Sequence, residues 1–305
     1  MTDDLARVVA ELIETTDLDA GAPERATLGT IRAGVGADAN DFAYADMPAT
    51  GAERGVALLI PGFTSMRATF YPLMQPLADA GFRVVSFSQR GQTGSDGGDT
   101  PDEYALNRLG ADVHAVADAL GLGEGIHLLG HSFGGVVGIE AVLQRPERFA
   151  TYTMWNSGPA SLGEGVLKGR EALRTYGHRG LWLADATEAG MDPDMDLRGE
   201  LEGYTRVRYV RMVTTKTAQL DAGLTHLYEH RDRVDELAAA LSAAGARALV
   251  SHGANDDAWP IDSQRAMAER LGADYFVVAG AGHSAHVDRP LTCAGLLATF
   301  WGAGD

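Results

Sequence analysis

At 305 residues and 45% hydrophobic composition, the chain is long enough for one large domain with a sizeable core, with or without an insertion, and two unrelated domains are disfavoured. Its 42 acidic against 25 basic residues leave a net charge of −17, which opposes binding to nucleic acid or to an anionic membrane surface. The single cysteine, Cys293, excludes an internal disulfide and a multi-cysteine zinc site, and no apolar run approaches the ~20 residues needed to span a bilayer.

The opening Met1-Thr2-Asp3-Asp4 lacks the basic and apolar stretches of a secretory leader, so a soluble cytoplasmic protein is expected. Leu5, Val8, Val9, Leu12 and Ile13 recur at helical spacing and predict an amphipathic helix before a loop around Gly21 and Pro23. Short strands are predicted over 27–32 and 41–45. Residues 56–60 form a continuous apolar run closed by Pro61-Gly62, the pattern of a strand buried on both faces. Similar runs return at 82–87, 126–129, 150–155, 246–251 and 275–278, separated mostly by helical patterns such as 102–120 and 262–271. Strands alternating with helices predict an α/β fold with a mostly parallel, doubly wound sheet. The alternation breaks once, over 159–228, where charged and aromatic residues mix; a helical cap inserted after the sixth strand is expected there. The core is then 1–158 and 229–305, with 1–26 as an N-terminal helical extension.

Gly130-His131-Ser132-Phe133-Gly134 follows one of these strand patterns and precedes the helix-like Gly135-Val136-Val137-Gly138-Ile139. A G-x-S-x-G sequence between strand and helix predicts a sharp turn that pushes a serine hydroxyl outward, with glycines where a Cβ would collide. A serine hydroxyl attacks poorly unless a base takes its proton. His283, in Gly280-Ala281-Gly282-His283 after the last strand pattern, is the best placed of nine histidines, because ligand sites in such sheets lie beyond the carboxyl ends of the strands. The base needs a carboxylate to orient it, and Asp256 and Asp257 follow the 246–251 strand at the same sheet edge. His131 is expected beneath the turn and His286 at the surface or a helix start.

The order Ser132, Asp256, His283, together with these motifs and Pro61-Gly62-Phe63, resembles the α/β-hydrolase superfamily, specifically its capped, carboxylesterase-like members with a serine nucleophile. The resemblance runs from about Val56 to Trp301, the cap excepted. It favours Asp256 over Asp257 as the acid, since Asp256 stands three after Gly253 and four before Pro260, as in the family's acid loop. It also implies an oxyanion hole from the backbone amides of Phe63 and Phe133, although Pro61 stands where the family usually has histidine. Gln89-Arg90-Gly91-Gln92-Thr93-Gly94-Ser95 resembles the family's Arg-Gly-x-Gly-x-Ser segment with one residue inserted, and a structural role is expected. The implied activity is cofactor-independent hydrolysis of an ester, thioester or lactone through an acyl-enzyme. Serine at the elbow argues against epoxide hydrolases and haloalkane dehalogenases of this fold, which use aspartate there. The same triad serves carbon–carbon bond hydrolases, perhydrolases, aminopeptidases and lactone-forming or thioester-processing enzymes of natural-product assembly, and some ligand receptors retain it.

Met66, Trp155, Trp182 and Trp259 are candidates for an apolar pocket around a small acyl substrate, or are plain core. Arg206, Arg208 and Arg211, interleaved with Tyr204 and Tyr209, either clamp a substrate carboxylate or form the wet face of a cap helix. Asp192, Asp194 and Asp196 alternate as in a calcium loop, but Leu197 and Gly203 occupy the positions that need glycine and glutamate, so no metal is expected. Neither a phosphate loop nor a dinucleotide fingerprint is present, and no cofactor is expected.

Overall fold

The computed structural model describes residues 3–188, 197 and 201–303; the aspartates at 192, 194 and 196 lie outside them. Eight strands form one sheet: β1 (Thr27–Ala33), β2 (Asn40–Met47), β3 (Gly55–Ile60), β4 (Phe82–Phe87), β5 (Ile126–His131), β6 (Phe149–Trp155), β7 (Arg247–Gly253) and β8 (Asp274–Val278). Their spatial order is β1-β2-β4-β3-β5-β6-β7-β8. The first two pairings are antiparallel and the rest parallel. Every run read as a strand is one, with ends that differ by a few residues.

The helices are α1 (Asp3–Thr15), α2 (Tyr71–Asp79), α3 (Leu106–Ala119), α4 (Phe133–Gln144), α5 (Gly165–Glu188), α6 (Gly203–Val213), α7 (Thr217–Glu229), α8 (Val234–Ala244), α9 (Ile261–Leu271), α10 (Ala285–Asp288) and α11 (Pro290–Gly302). The pattern over 102–120 divides into a 3-10 turn, Pro101–Tyr104, and α3, because Ala105 between them is extended at ψ 140°. Successive residues of a strand face opposite sides of a sheet. Leu59, Leu129 and Leu249 therefore pack with Leu73 and Leu77 of α2 and Leu297 and Phe300 of α11. Their neighbours Leu58, Leu128 and Val250 pack on the other side with residues of α3, α4, α8 and α9. Both faces are covered, which is why the central strands read as unbroken apolar runs rather than alternating ones.

The insertion after β6 is helical: α5, α6 and α7 lie between β6 and α8. Gly177 breaks the regularity of α5 with φ 66° and ψ −155°. Buried Leu173, Leu181, Trp182, Tyr209, Val210, Met212, Leu220 and Leu224 form a separate cluster there. Val8 and Leu12 of α1 join that cluster, and Arg206 of α6 donates to Thr16 Oγ1 at 2.8 Å and to Thr15. The N-terminal helix thus packs on the cap rather than on the sheet. Its apolar stripe packs on helices far along the chain; the Arg206–Thr16 contact spans 190 residues.

Candidate active site

Ser132 lies between β5 and α4 at φ 55° and ψ −122°, a conformation costly for a residue with a side chain. Neighbouring glycines permit it. A Cβ on Gly130 would stand 2.3 Å from the Gly134 carbonyl oxygen, and one on Gly134 would stand 2.3 Å from that of Ile60. The turn is held from behind: the Ser132 amide donates to the Trp155 carbonyl at 2.9 Å, and Ser157 Oγ donates to the Ser132 carbonyl at 2.9 Å. Among the described residues, Thr64, Ser132 and Asn156 are the non-glycines at positive φ. They follow β3, β5 and β6, so backbone strain concentrates along one carboxyl edge of the sheet.

His283 stands beyond β8 and faces both partners. Its Nε2 is 2.9 Å from Ser132 Oγ and its Nδ1 is 2.8 Å from Asp256 Oδ1. An ionised carboxylate only accepts, so Nδ1 carries the hydrogen, and the lone pair at Nε2 accepts the serine hydroxyl. In this arrangement the serine proton can pass to the imidazole as the oxygen attacks, while the carboxylate steadies the imidazolium.

Asp256 is buried, whereas adjacent Asp257 is exposed. Its Oδ1 accepts from His283 and from the Ala258 amide at 3.2 Å; its Oδ2 accepts from Asn156 Nδ2 at 3.0 Å and Gln264 Nε2 at 3.1 Å. Burial pushes this carboxyl up, but the hydrogen bond and charge of His283, with the Ala258 and Asn156 donors, outweigh it and hold Asp256 at about 2. Asn156 also donates to the Gly282 carbonyl at 3.1 Å, tying the acid loop to the histidine loop. Neither Asn156 nor Gln264 follows from sequence reasoning. The strand end Trp155-Asn156-Ser157-Gly158 carries no carboxylate, and an asparagine there gives no sequence sign of its role.

Opposite His283, the Pro61-Gly62-Phe63 segment packs against the Ser132 turn; a Cβ on Gly62 would meet Ser132 Cβ at 3.1 Å. Gln89 Nε2 donates to the Pro61 carbonyl at 2.7 Å, and Gln92 Nε2 donates to the Gly62 carbonyl at 2.8 Å. In a trans peptide the carbonyl and the following N–H point opposite ways, so the Gln92 contact turns the Phe63 amide away from the loop's interior. Among the described residues the amides of Phe63 and Phe133 have no hydrogen-bond acceptor. The segment around Gln89 and Gln92 thus acts structurally, by orienting the loop where proline replaces histidine.

The α/β-hydrolase fold family model matches residues 56–290. The chain belongs to that family. In this α/β hydrolase, local similarity to curated proteins is partial. A protein of Agrobacterium fabrum named carbamate hydrolase RutD is 32% identical over 117 residues, 37% of this chain and 44% of its own length. Epoxide hydrolase A of Mycobacterium tuberculosis is 30% identical over 146 residues, 48% of this chain and 44% of its own. The chain therefore matches less than half the length of these relatives. A hydrolase from Pseudomonas aeruginosa superposes with a TM-score of 0.73 at 23% identity, covering 91% of this chain and 99% of its own, which speaks to the fold.

The remaining predicted residues separate by burial. His131 lies under the α/β-hydrolase elbow, donating from Nε2 to the His283 carbonyl at 2.9 Å, and burial pushes its imidazole well below the ordinary range. His286 stands at the start of α10, one of its two expected placements, but not at the surface: it is fully buried, 4.6 Å from the His131 ring, and burial, with the charges of His283 and Arg211, lowers it to about 3. Sequence spacing exposed it because the short α10 turns inward onto Phe70 and Thr69. Trp155 is fully buried in the sheet's α2–α11 side, and Trp182 lies edge-on to Tyr209 within the cap at 5.1 Å. Trp259 lies nearer, its ring 6.3 Å from that of His283 and its Nε1 donating to the Ala160 carbonyl at 2.9 Å. Met66 is buried beside the Phe63 loop. Of the cap arginines, Arg206 binds Thr16, Arg208 pairs with Asp185 at 2.5 Å, and Arg211 is buried.

No described helix is long and apolar enough to cross a membrane. Among the described residues no group of three or more histidine, cysteine and acidic side chains has the disposition to hold a metal ion.

Proposed function

We propose that this α/β hydrolase is a cofactor-independent serine hydrolase that cleaves an ester, thioester or lactone through an acyl-enzyme. The observation that carries the reading is the continuous chain from Ser132 Oγ through both ring nitrogens of His283 to Asp256 Oδ1, at 2.9 and 2.8 Å. Ser132 Oγ bonds to the substrate's acyl carbon while its proton moves to His283 Nε2. The carbon–oxygen or carbon–sulfur bond then breaks, and the leaving group takes that proton. Water adds to the acyl carbon, giving its proton to His283, and the Ser132 ester breaks to release the acid and restore the hydroxyl. Asp256 keeps His283 in the required tautomer throughout.

The amides of Phe63 and Phe133 hold the oxyanion; such a donor contributes about 3 to 4 kcal/mol to the transition state. Residues 159–228 serve as the cap over this site, with 1–158 and 229–305 as the core, and the acyl or leaving group lies toward Trp259 and Met66. Serine rather than aspartate at the elbow supports acyl transfer over epoxide opening despite the local similarity to an epoxide hydrolase. A carbamate, named for the RutD relatives, has the same acyl carbon and belongs in the substrate panel.

The test offers short- and medium-chain 4-nitrophenyl esters and a 4-nitrophenyl carbamate to the wild type and to Ser132→Ala. Turnover by the wild type that disappears in the variant supports the reading. Equal rates for the two proteins refute it, and tight binding of an apolar ligand without any turnover points instead to a receptor.

A further inference from the structure

Arg211, on the buried side of α6, is 7% exposed. Among the described residues no carboxylate pairs with it and its Nε is fully buried without an acceptor; its hydrogen-bonding contact is with the side chain of Tyr204. Its neighbours differ. Arg67 is paired with Asp19 at 2.6 Å, Arg90 with Asp112 at 2.7 Å, and Arg208 with Asp185 at 2.5 Å. The Tyr204 ring centroid lies 6.0 Å from the guanidinium carbon. Desolvation leads the causes that lower its basicity, and Tyr204 and Asp185 offset it only in part. A buried charge without a counter-charge costs several kcal/mol, so folded proteins rarely carry one without use for it.

Its anchoring sets it beside the catalytic edge. The Arg211 carbonyl accepts from Thr93 Oγ1 at 2.8 Å, and the residue before Thr93 is Gln92, which holds the Gly62 carbonyl of the Phe63 loop. The charge is felt by His286, which lies against His131 under the Ser132 turn.

We infer that Arg211 binds a carboxylate of the substrate, so that the scissile acyl compound is a monoanion such as the half-ester or half-thioester of a dicarboxylic acid. This rests on the hydrolase reading above and names its substrate class. A carboxylate fits better than a phosphate. The planar fork of a guanidinium matches two carboxylate oxygens, and the single charge of Arg211 balances one negative charge, while Arg67, Arg90 and Arg208 are already paired with carboxylates. In a protein of net charge −17, a phosphate dianion would remain half unpaired.

Two measurements decide it. In the first, mono-4-nitrophenyl esters of succinate, glutarate and adipate are compared with 4-nitrophenyl butyrate on the wild type, Arg211→Met and Arg211→Lys. At least one charged ester is expected to be preferred by the wild type. That preference, as a ratio of kcat/KM, should fall about tenfold or more in Arg211→Met, chiefly through KM, with partial recovery in Arg211→Lys. Exposed Arg265→Met serves as the remote control and should leave the ratio unchanged. In the second, calorimetry follows binding of glutarate and, separately, inorganic phosphate to Ser132→Ala with and without Arg211→Met. Glutarate should bind, phosphate should bind more weakly, and Arg211→Met should weaken glutarate about tenfold or more. A wild type that prefers the neutral ester, an equal loss on charged and neutral esters, or glutarate binding indifferent to Arg211 overturns the inference. Tighter binding of phosphate than of glutarate overturns the assignment to a carboxylate. Glutarate binding that depends on Arg211 in a protein that hydrolyses no ester would sink the hydrolase reading while sustaining the anion site.

Discussion

Asp256 and Arg211 are both buried charges, yet the protein treats them in opposite ways. The carboxylate accepts four hydrogen bonds, from a ring, a backbone amide and two side-chain amides. The guanidinium has no carboxylate partner among the described residues, and its Nε has no acceptor. The first belongs to the sheet, where folding alone completes the polar network and holds His283 in one tautomer and orientation. The second belongs to the cap, where a charge left uncompensated favours molecules that bring the opposite sign. On the proposed reading, chemistry is preorganised by the core and selectivity is delegated to the insertion.

The sharpest way to break this contrast is at the core. His283→Ala removes the base and is expected to lower kcat for ester hydrolysis by about 10⁴-fold or more with the fold retained, checked by steady-state kinetics alongside circular dichroism. Asp256→Asn should cost on the order of 10⁴-fold in kcat, because the amide stabilises the wrong tautomer of His283; a loss under tenfold would mean that Asp257 can substitute.

Asp256 also makes an acid-stability prediction. Its pKa is lowered in the folded protein from 3.8 to about 2, so its contribution is fully present above 3.8 and lost as pH falls through 2. The stability gap between wild type and Asp256→Asn should therefore narrow by about 2 kcal/mol over that window in denaturant titrations. His286 has the related sign for a base kept neutral. With its pKa lowered from 6.5 to about 3, its burial is harmless above 6.5 and increasingly costly as pH falls toward 3, since only the unfolded chain takes up the proton. A His286→Phe variant that unfolds at the same acid midpoint as the wild type would contradict this.

Smaller effects probe the supports. Asn156→Ala leaves an Asp256 oxygen and the Gly282 carbonyl without that donor, and places alanine at φ 48°. A loss of about 1 to 3 kcal/mol in unfolding free energy is expected, with kcat down about tenfold. On the cap side, Arg206→Ala releases the α1 contacts at Thr15 and Thr16 and should change stability by less than about 1 kcal/mol, with kcat/KM on neutral esters held within about twofold; thermal melts and the same ester assay measure both. A large effect there would mean that the N-terminal helix supports the catalytic edge as well as the cap.

Much of the site was legible because its parts are local. The glycines of the elbow stand next to Ser132, and His283 directly follows the last strand, so each could be placed from its immediate neighbours. The cap was legible only as a break in the alternation. Its helices bury apolar residues against one another and against α1, and α7 also packs Ala222 and Leu227 into the cluster beneath the sheet, so their pattern does not mark which partner each face meets. The burial of His286 and of Arg211 was not legible for the same reason: helical spacing tells which residues share a face, but not what covers that face.

The sequence by itself determined the strand order along the chain, the α/β layering and the order of serine, acid and histidine, because hydrophobic period and turn chemistry act over a few residues. Only the tertiary structure decided which of two adjacent aspartates is buried, that Asn156 and Gln264 complete its hydrogen bonds, and that Arg211 is buried with no carboxylate partner among the described residues. Those outcomes depend on desolvation and on donors and acceptors brought together from distant segments, such as the 100 residues between Asn156 and Asp256, and burial exists only once the whole chain has closed around them.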